Sequence, residues 1–381
     1  DSFRVFTWVS IVILSITLLC TVVGVILIRY ILRFVGSITA SIMDMQSERR
    51  LGRIDLSGAP NDEVTYLGTA FNSLSSSIDN LITIFRKFVA REVAQKAYED
   101  GQVQLEGRPM ELAILFSDIR GFTHMTETLG TDIITLLNLH YDRAIRHIHA
   151  NGGDVGSIIG DAILALFGHI PDSAADKALH AIRSGYLIQQ VASELRDAMY
   201  RRREELLKAS GGLTEIEERI FHAVLVEVGV GIDGGEVFYG NIGSTDRMVN
   251  TVIGDTVNTA SRLEGLTKFY RVPLICSERI KRDAGDSTAE FRFVLLDCVK
   301  VQGRSRGQNI YWPVPREGMD PAFTRKIGRY REGVDAYLSG DWETAHRIFS
   351  DVDLPVAQVM AERTTLPVPE DWSGEWAMTG K

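Results

Sequence analysis

Two aspartates stand where apolar strands should end. Phe116-Ser117-Asp118-Ile119-Arg120-Gly121-Phe122-Thr123 places a carboxylate at the close of the apolar run 110–119, and a glycine turn follows. Gly160-Asp161 sets a second carboxylate in the turn between SII and AILALFG, two short apolar runs with the spacing of a hairpin. Folding alone explains neither, because an unpaired buried carboxylate is expensive. Brought together, the two would repel unless cations bridged them. Hard oxygen donors of this kind suit Mg²⁺ held jointly with substrate phosphates. Further along, Asn258 and Arg262 fall four residues apart in a helical run and so share one face.

The elements that must position these groups alternate between strand and helix. MELAILFSDI (110–119) and SIIGDAILALFG (157–168) read as strand-like runs, and TDIITLLNLHYDRAIRHIHA (131–150) between them as an amphipathic helix. A second helix is expected over 174–200, then the strand AVLVEVGVGIDGGEV (223–237). The resulting strand–helix–strand–strand–helix–strand order predicts an α+β fold with a ferredoxin-like core. The charged stretch 196–219 reads as a helical insertion, with Arg201-Arg202-Arg203 on a solvated face. Gly152-Gly153-Asp154-Val155 reads as a turn before a strand, and His140, His147 and His149 as a surface or interface pattern.

Before this region, residues 8–28 (WVSIVILSITLLCTVVGVILI) carry no charge and are long enough to cross a hydrocarbon core of about 30 Å. They lack the short apolar run and small-residue cleavage site of a signal peptide. Arg29, Arg33, Arg49, Arg50 and Arg53 follow the span and only Arg4 precedes it, which orients everything after residue 28 to the cytoplasm. Residues 29–80 read as two helical stretches around the breaker-rich connector LGRIDLSGAP, with Asn61-Asp62-Glu63 opening the second helix. A coupling helix is expected over 81–98. After Pro315, GRYREGVDAYLSGDWETAHRIFSDV reads as one helical hairpin, which cannot bury its own apolar face and is expected to pack on the preceding domain. The tail 351–381 is expected to do likewise through Trp372 and Trp376. The net charge of −9 argues against nucleic acid as partner, and three widely spaced cysteines exclude a zinc cluster or disulfide framework. The chain opens at Asp1 without a Met, so an upstream segment carrying a sensor is expected.

FSDIRGFT, GDAILALFG, the run Gly240 to Ser244 and TVIGDTVNTASRLEGL (251–266) resemble, in order, the signatures of the class III adenylate and guanylate cyclase catalytic domain. The resemblance covers residues 108–315. It implies that Asp118 and Asp161, with the Ile119 backbone carbonyl, bind two Mg²⁺ ions per site, for which Mn²⁺ can substitute. It further implies that Asn258 holds the ribose, that Arg262 stabilises charge as pyrophosphate leaves, and that Thr251 reads the purine. Backbone N–H groups of Ile119 to Phe122 would cradle the triphosphate, with Gly121, Phe122 and Thr123 as substrate-binding residues. Arg304 would stand near a further triphosphate contact. Each site is completed across a homodimer interface, with the aspartates from one subunit and Asn258, Arg262 and Thr251 from the other. The expected activity is conversion of ATP to cyclic AMP at the inner (plasma) membrane. Residues 29–80, with Ala70-Phe71-Asn72-Ser73-Leu74, resemble a HAMP signal-relay module, Gly36 replacing its usual proline; a plain coiled-coil stalk is the alternative.

The expected division is therefore a transmembrane helix (8–28), a relay module (29–80), a coupling linker (81–107), a catalytic domain (108–315) and a C-terminal hairpin and tail (316–381). One position departs from the family. Its adenine-reading lysine, four residues before the second metal aspartate, is Ser157 here. A hydroxyl can donate to adenine N1 but is shorter and uncharged. Guanylate cyclases usually carry an acid there, so Ser157 does not favour GTP. The alternatives are a catalytically weak dimerisation module and a guanylate cyclase.

Overall fold

The computed structural model describes residues 2–48, 52–57, 63–85, 107–170, 174–210, 212–244, 248–285, 289–300 and 307–377, which divide into two units at residues 103 and 104. In the first unit, α1 (Ser2–Glu48) is one uninterrupted helix. The apolar span and the expected first relay helix are therefore continuous, Gly36 being accommodated within the helix. Its stretch Phe6–Tyr30 is long and apolar enough to cross a membrane. The hydroxyls of Ser15, Thr17 and Thr21 each donate to the carbonyl four residues back at 2.8 Å, which satisfies these three donors within the helix.

In the same unit, α2 (Glu63–Phe85) binds the connector alongside it. Asn72 accepts from the Ile54 amide at 2.8 Å and donates back to its carbonyl at 3.0 Å. Ser75 donates to the Gly52 carbonyl at 2.9 Å, and Ile54 is buried. Gly68 makes room for Leu56, whose Cδ2 lies 2.7 Å from where a Cβ would be. Arg49, Arg50, Gly58, Pro60, Asn61, Asp62 and most of the expected coupling helix lie outside the described residues.

The second unit is built on β1 (Gly107–Ile119), β2 (Gly153–Ile159), β3 (Ala162–Phe167) and β4 (Val228–Gly243), in the sheet order β2-β3-β1-β4. With α4 (Ile133–Ala150) and α5 (Lys177–Ser210) as crossovers, this is the expected ferredoxin-like arrangement. A short α3 (Phe122–Leu129) follows β1. Alternate residues of β1 feed two cores: Ala113 and Leu115 join Ile148 and Ile182 of α4 and α5, while Leu112 and Ile114 join Ala260 on the opposite face. That second face is covered by α7 (Asp255–Tyr270).

Three expectations are corrected here. The helix expected to stop at 200 runs on to Ser210, so the charged insertion begins as its continuation and ends in α6 (Glu215–Ala223). A capping box between Thr214 and Glu217 starts α6, so the apolar run from Ala223 closes a helix and β4 begins only at Val228. His140 is buried in the core rather than at the surface, and burial lowers its pKa to about 4.

Beyond the ferredoxin-like core, β5 (Met248–Ile253) forms a hairpin with β4. Then β6 (Leu274–Ser277), α8 (Glu278–Ala284), β7 (Phe291–Lys300) and β8 (Gln308–Pro315) extend the sheet. The expected hairpin is α9 (Pro321–Leu338) and α10 (Trp342–Ser350), to which α11 (Pro355–Arg363) adds a third helix. These helices share one core with Leu263, Leu266 and Tyr270 of α7 and with β7 and β8, and Trp372 and Trp376 pack against it. Within it, the buried Arg363 pairs with the buried Asp297, and its guanidinium also reaches the hydroxyls of Tyr337 at 3.1 Å and Tyr270 at 3.3 Å.

Candidate active site

Asp118 is the penultimate residue of β1, and its cross-strand partner on β4 is Gly229. Asp161 follows Gly160, whose φ of 65° lets the β2–β3 hairpin turn tightly. The turn folds Asp161 back on β1, where its Oδ2 accepts from the Ile119 amide at 3.3 Å. The two carboxyls come close enough to share a proton. Burial, the hydrogen bond from Asp161 and the Asp161 charge push Asp118 up to about 7, against a smaller opposing hydrogen bond from Ile119.

The pair therefore carries more negative charge than its surroundings neutralise, and its donors are all oxygen, which fits a hard divalent cation. Among the described residues no three His, Cys, Asp or Glu side chains converge on one point. The remaining coordination positions thus fall to water or to substrate phosphates, as is usual for Mg²⁺.

Gly121, Phe122 and Thr123 form the turn and first residues of α3 directly after this pair. Gly121 takes a left-handed φ of 71°, and no side chain caps the helix. The first-turn N–H groups are left for an anion, and helix N-termini favour one.

Asn258 and Arg262 lie on the exposed face of α7, whose opposite face buries Thr256, Thr259, Ala260 and Leu263. Neither forms a hydrogen bond or ion pair with any described residue. Thr251 lies on β5 opposite Gly240. Around it the outer face of the β4–β5 hairpin leaves Phe238, Val249 and Ile253 about half exposed. Ser157 is half-buried on β2 opposite Leu164, which faces the α7 side of the sheet, the side Asp118 also faces. A bulge at Gly156 sets that register. Ser157 on β2 and Asp118 on β1 are separated by the intervening β3, so within one chain they do not meet. The structure thus brings Asp118, Asp161 and the α3 turn together and leaves Asn258, Arg262, Thr251 and Ser157 on surfaces apart from them. Arg304 lies outside the described residues.

Two residues that sequence reasoning passed over stand at the carboxylate pair. Tyr141 on α4 donates its hydroxyl to the Gly160 carbonyl at 2.6 Å, pinning the turn that carries Asp161. Burial, Asp161 and Asp118 raise its pKa to about 12. Glu264 projects from the inner face of α7. Its sequence signal was an acid on the stripe Ala260, Leu263, Leu266 and Thr267, where a charge is unusual. Tyr141 gave no such signal, because an aromatic on an amphipathic helix reads as core.

Residues 106–314 match the family described as the adenylate and guanylate cyclase catalytic domain. A terminal-differentiation-specific adenylate cyclase of Dictyostelium discoideum is 32% identical over 278 residues, which is 71% of this chain and 12% of that protein. An adenylate cyclase of Anabaena cylindrica is 33% identical over 261 residues, 67% of this chain and 47% of that protein. The chain therefore spans less than half the length of either relative. Among solved structures, a bacterial light-regulated adenylyl cyclase is similar with a TM-score of 0.53 at 26% identity, covering 73% of this chain and 72% of that one.

Proposed function

The chain belongs to the adenylate and guanylate cyclase catalytic domain family, and on that premise we propose that it converts ATP to 3′,5′-cyclic AMP and pyrophosphate as a homodimer. The carrying observation is the placement of Asp118 and Asp161 beside the uncapped start of α3 while Asn258 and Arg262 stand exposed and unpartnered on α7. A chain holding both halves of a site on separate surfaces completes it by meeting a second copy. The exposed apolar residues Phe238, Val249 and Ile253 around Thr251 support such a meeting.

In this reading Asp118 and Asp161, with the Ile119 carbonyl, hold two Mg²⁺ or Mn²⁺ ions. When bound, these supply charge neutralisation on the triphosphate and acidify the ribose 3′-hydroxyl. The N–H groups of Gly121, Phe122 and Thr123 bind phosphate oxygens and fix the chain of phosphates for in-line displacement. The 3′-hydroxyl gives its proton to solvent water and its oxygen bonds to the α-phosphorus, as the bond from that phosphorus to the oxygen bridging to the β-phosphate breaks and pyrophosphate leaves with the electron pair. Arg262 of the second chain meets the charge that develops on the leaving pyrophosphate, and Asn258 holds the ribose. Thr251 and Ser157 of that chain face the purine. Ser157 favours a second, narrower reading, in which the base is held loosely and turnover is weak. The helix α1 serves as a membrane anchor with the second unit in the cytoplasm. The Asn72–Ile54 clamp supports a HAMP-like relay in the first unit.

The test is formation of cyclic AMP and cyclic GMP by the full chain in nanodiscs, with Mg²⁺ and with Mn²⁺. Cyclic AMP from ATP is expected, abolished by Asp118→Ala or Asp161→Ala in folded protein. Near-native activity in either variant would overturn the metal assignment. Cyclic GMP as the main product would overturn the substrate.

A further inference from the structure

Glu264 follows Arg262 by two residues on α7 but points inward, to the sheet. Its Oε1 lies 2.2 Å from where a Cβ on Gly229 would stand, and the Thr267 Oγ1 lies 2.4 Å from the same point. Only a glycine leaves this space open. Gly229 is the cross-strand partner of Asp118. Opposed residues of an antiparallel pair lie about 4.5–5.5 Å apart and address the same face. The Glu264 carboxyl is therefore a lateral neighbour of Asp118, reached from the helix rather than from the sheet.

Arg120 closes the other side of this pocket. It donates to Thr267 Oγ1 at 3.3 Å and to the Val272 carbonyl at 3.1 Å, and lies 3.6 Å from the exposed Glu227. Its Nε is buried without a partner. No described residue donates a hydrogen bond to the Glu264 carboxyl. Burial and then the Asp118 charge push Glu264 up to about 7, with Arg120 opposing and Asp161 adding to the rise. As a packing residue, a partly buried acid set beside two others is a poor choice, and a neutral side chain of similar length would stabilise more.

We propose that Glu264 is a positioning residue, through which cations held at Asp118 and Asp161 set the placement of α7 and hence of Asn258 and Arg262. The inference rests on reading Asp118 and Asp161 as the cation pair. While no cation is bound, the charge on the Asp118–Asp161 pair repels the Glu264 carboxylate. Cations held at the pair would reverse the sign of that charge, and Glu264 would then be attracted to the pair. The helix backbone is already in contact with β4 at Gly231, where a Cβ would lie 2.1 Å from the Ala260 carbonyl oxygen. A pull on Glu264 therefore reaches Asn258 and Arg262 as a small motion of one rigid helix. Groups arranged around a metal's own ligands commonly contribute about 10- to 100-fold to its affinity.

The experiment uses the full chain in phosphatidylcholine nanodiscs, whose neutral lipid does not concentrate cations, with Mn²⁺ alone as probe. Mn²⁺ affinity is read by electron paramagnetic resonance, and hydrogen exchange is followed by mass spectrometry over residues 255–270, with and without saturating Mn²⁺. The native chain is expected to gain protection in α7 on binding Mn²⁺. Glu264→Gln is expected to bind Mn²⁺ about tenfold more weakly and, once saturated, to show no added protection there. A merely structural role for Glu264 would change exchange in both states alike and leave the Mn²⁺ response intact. Native affinity together with a native Mn²⁺ response in Glu264→Gln overturns the proposal. If that variant does not fold, Glu264→Asp, one methylene shorter, must bind more weakly and protect α7 less, and equality with the native chain overturns the proposal. If Asp118→Asn binds Mn²⁺ as the native chain does, the cation pair itself is misassigned, and both readings fall together.

Discussion

Gly231 is the point at which α7 rests on the sheet, and adding one methyl group there tests whether the placement of that helix governs turnover. A Cβ at residue 231 would lie 2.1 Å from the Ala260 carbonyl oxygen, 2.2 Å from the Glu264 amide nitrogen and 2.8 Å from the Leu263 carbonyl carbon. All three are helix backbone, so no side chain can rotate away. Ordinary contact begins at 3.4 Å, so in Gly231→Ala the helix must retreat by about 1.3 Å. Ala260 sits midway between Asn258 and Arg262, and both move with it. A misplacement of about 1 Å at a reacting group costs on the order of 10²-fold in rate, and overpacking costs about 1–3 kcal/mol in stability. Gly231→Ala should therefore lose about two orders of magnitude in kcat while remaining folded, with a smaller change in KM, since Asp118 and the α3 turn stand on β1. Gly265→Ala is the control: it lies on the same helix with nothing within 4 Å of its added methyl. That variant should keep its fold and gain about 0.5–1 kcal/mol from the better helix former. The assay is steady-state cyclic AMP formation beside a thermal melt. A Gly231→Ala variant with native kcat and native melting temperature would refute the reasoning.

Mixing Asp118→Ala with Arg262→Ala chains, each inactive alone, should restore activity in demonstrated heterodimers, and continued inactivity there counts against a shared site. With Asp118 pushed up to about 7, protons compete with cations, so apparent Mn²⁺ affinity should fall about tenfold from pH 8 to pH 6. A flat titration would mean that the carboxyl is ordinary. Since the folded value lies above the ordinary carboxyl value of 3.8, the cation-free protein should also lose stability as pH rises from about 4 to about 7, which thermal melts at several pH values would detect. Ser157→Lys should raise kcat/KM for ATP by roughly five- to tenfold, a charge-assisted hydrogen bond exceeding a neutral one by about 1–1.4 kcal/mol, and should raise the GTP value less. An unchanged ATP value would mean that residue 157 does not face the base. Arg363→Ala should destabilise the second unit by about 3–5 kcal/mol in chemical denaturation, because Asp297 would be left buried and unpaired; a loss below 1 kcal/mol would contradict that pairing.

The ferredoxin-like arrangement was legible because its strands are apolar, short and separated by helices of clear period. The hairpin that returns Asp161 to β1 was legible from Gly160 between two apolar runs. Elsewhere local pattern misled. Ala223 to Val226 is an apolar run with two valines that reads as strand, yet the capping box at Thr214 had already committed the chain to a helix ending at Ala223. No strong breaker stands between residues 28 and 48, and Gly36 alone does not end a helix already propagating on both sides, so the apolar span runs unbroken into the helical stretch expected after it. The contacts of Glu264 depend on Gly229, 35 residues earlier, and on a strand register that no local pattern encodes. The Asp297–Arg363 pair joins β7 to the last helix in the same way.

The position of α7 depends on more than the region that carries the family's signatures. Its start is closed by Gly254, where a Cβ would lie 2.9 Å from Val237 Cγ1, and its middle rests on Gly231. Its end, however, is fixed by residues beyond 314. Tyr270 donates to Asp297 and meets Arg363 of α11, while Leu263 and Leu266 share a core with Tyr330, Tyr337 and Phe349 of the C-terminal helices. The matched region 106–314 is therefore not a closed folding unit in this chain. Without the helices after Pro315, Asp297 would be a buried charge without its cation, and the last turns of α7 would lose one wall of their packing. Tyr270 lies eight residues from Arg262 on an unbroken helix, about 12 Å at 1.5 Å per residue. A shift of the C-terminal helices is thus felt at Tyr270 first and at Arg262 through a single rigid element. The hairpin, expected from the sequence to pack on the preceding domain, holds one end of the lever on which the proposed transition-state contact is mounted.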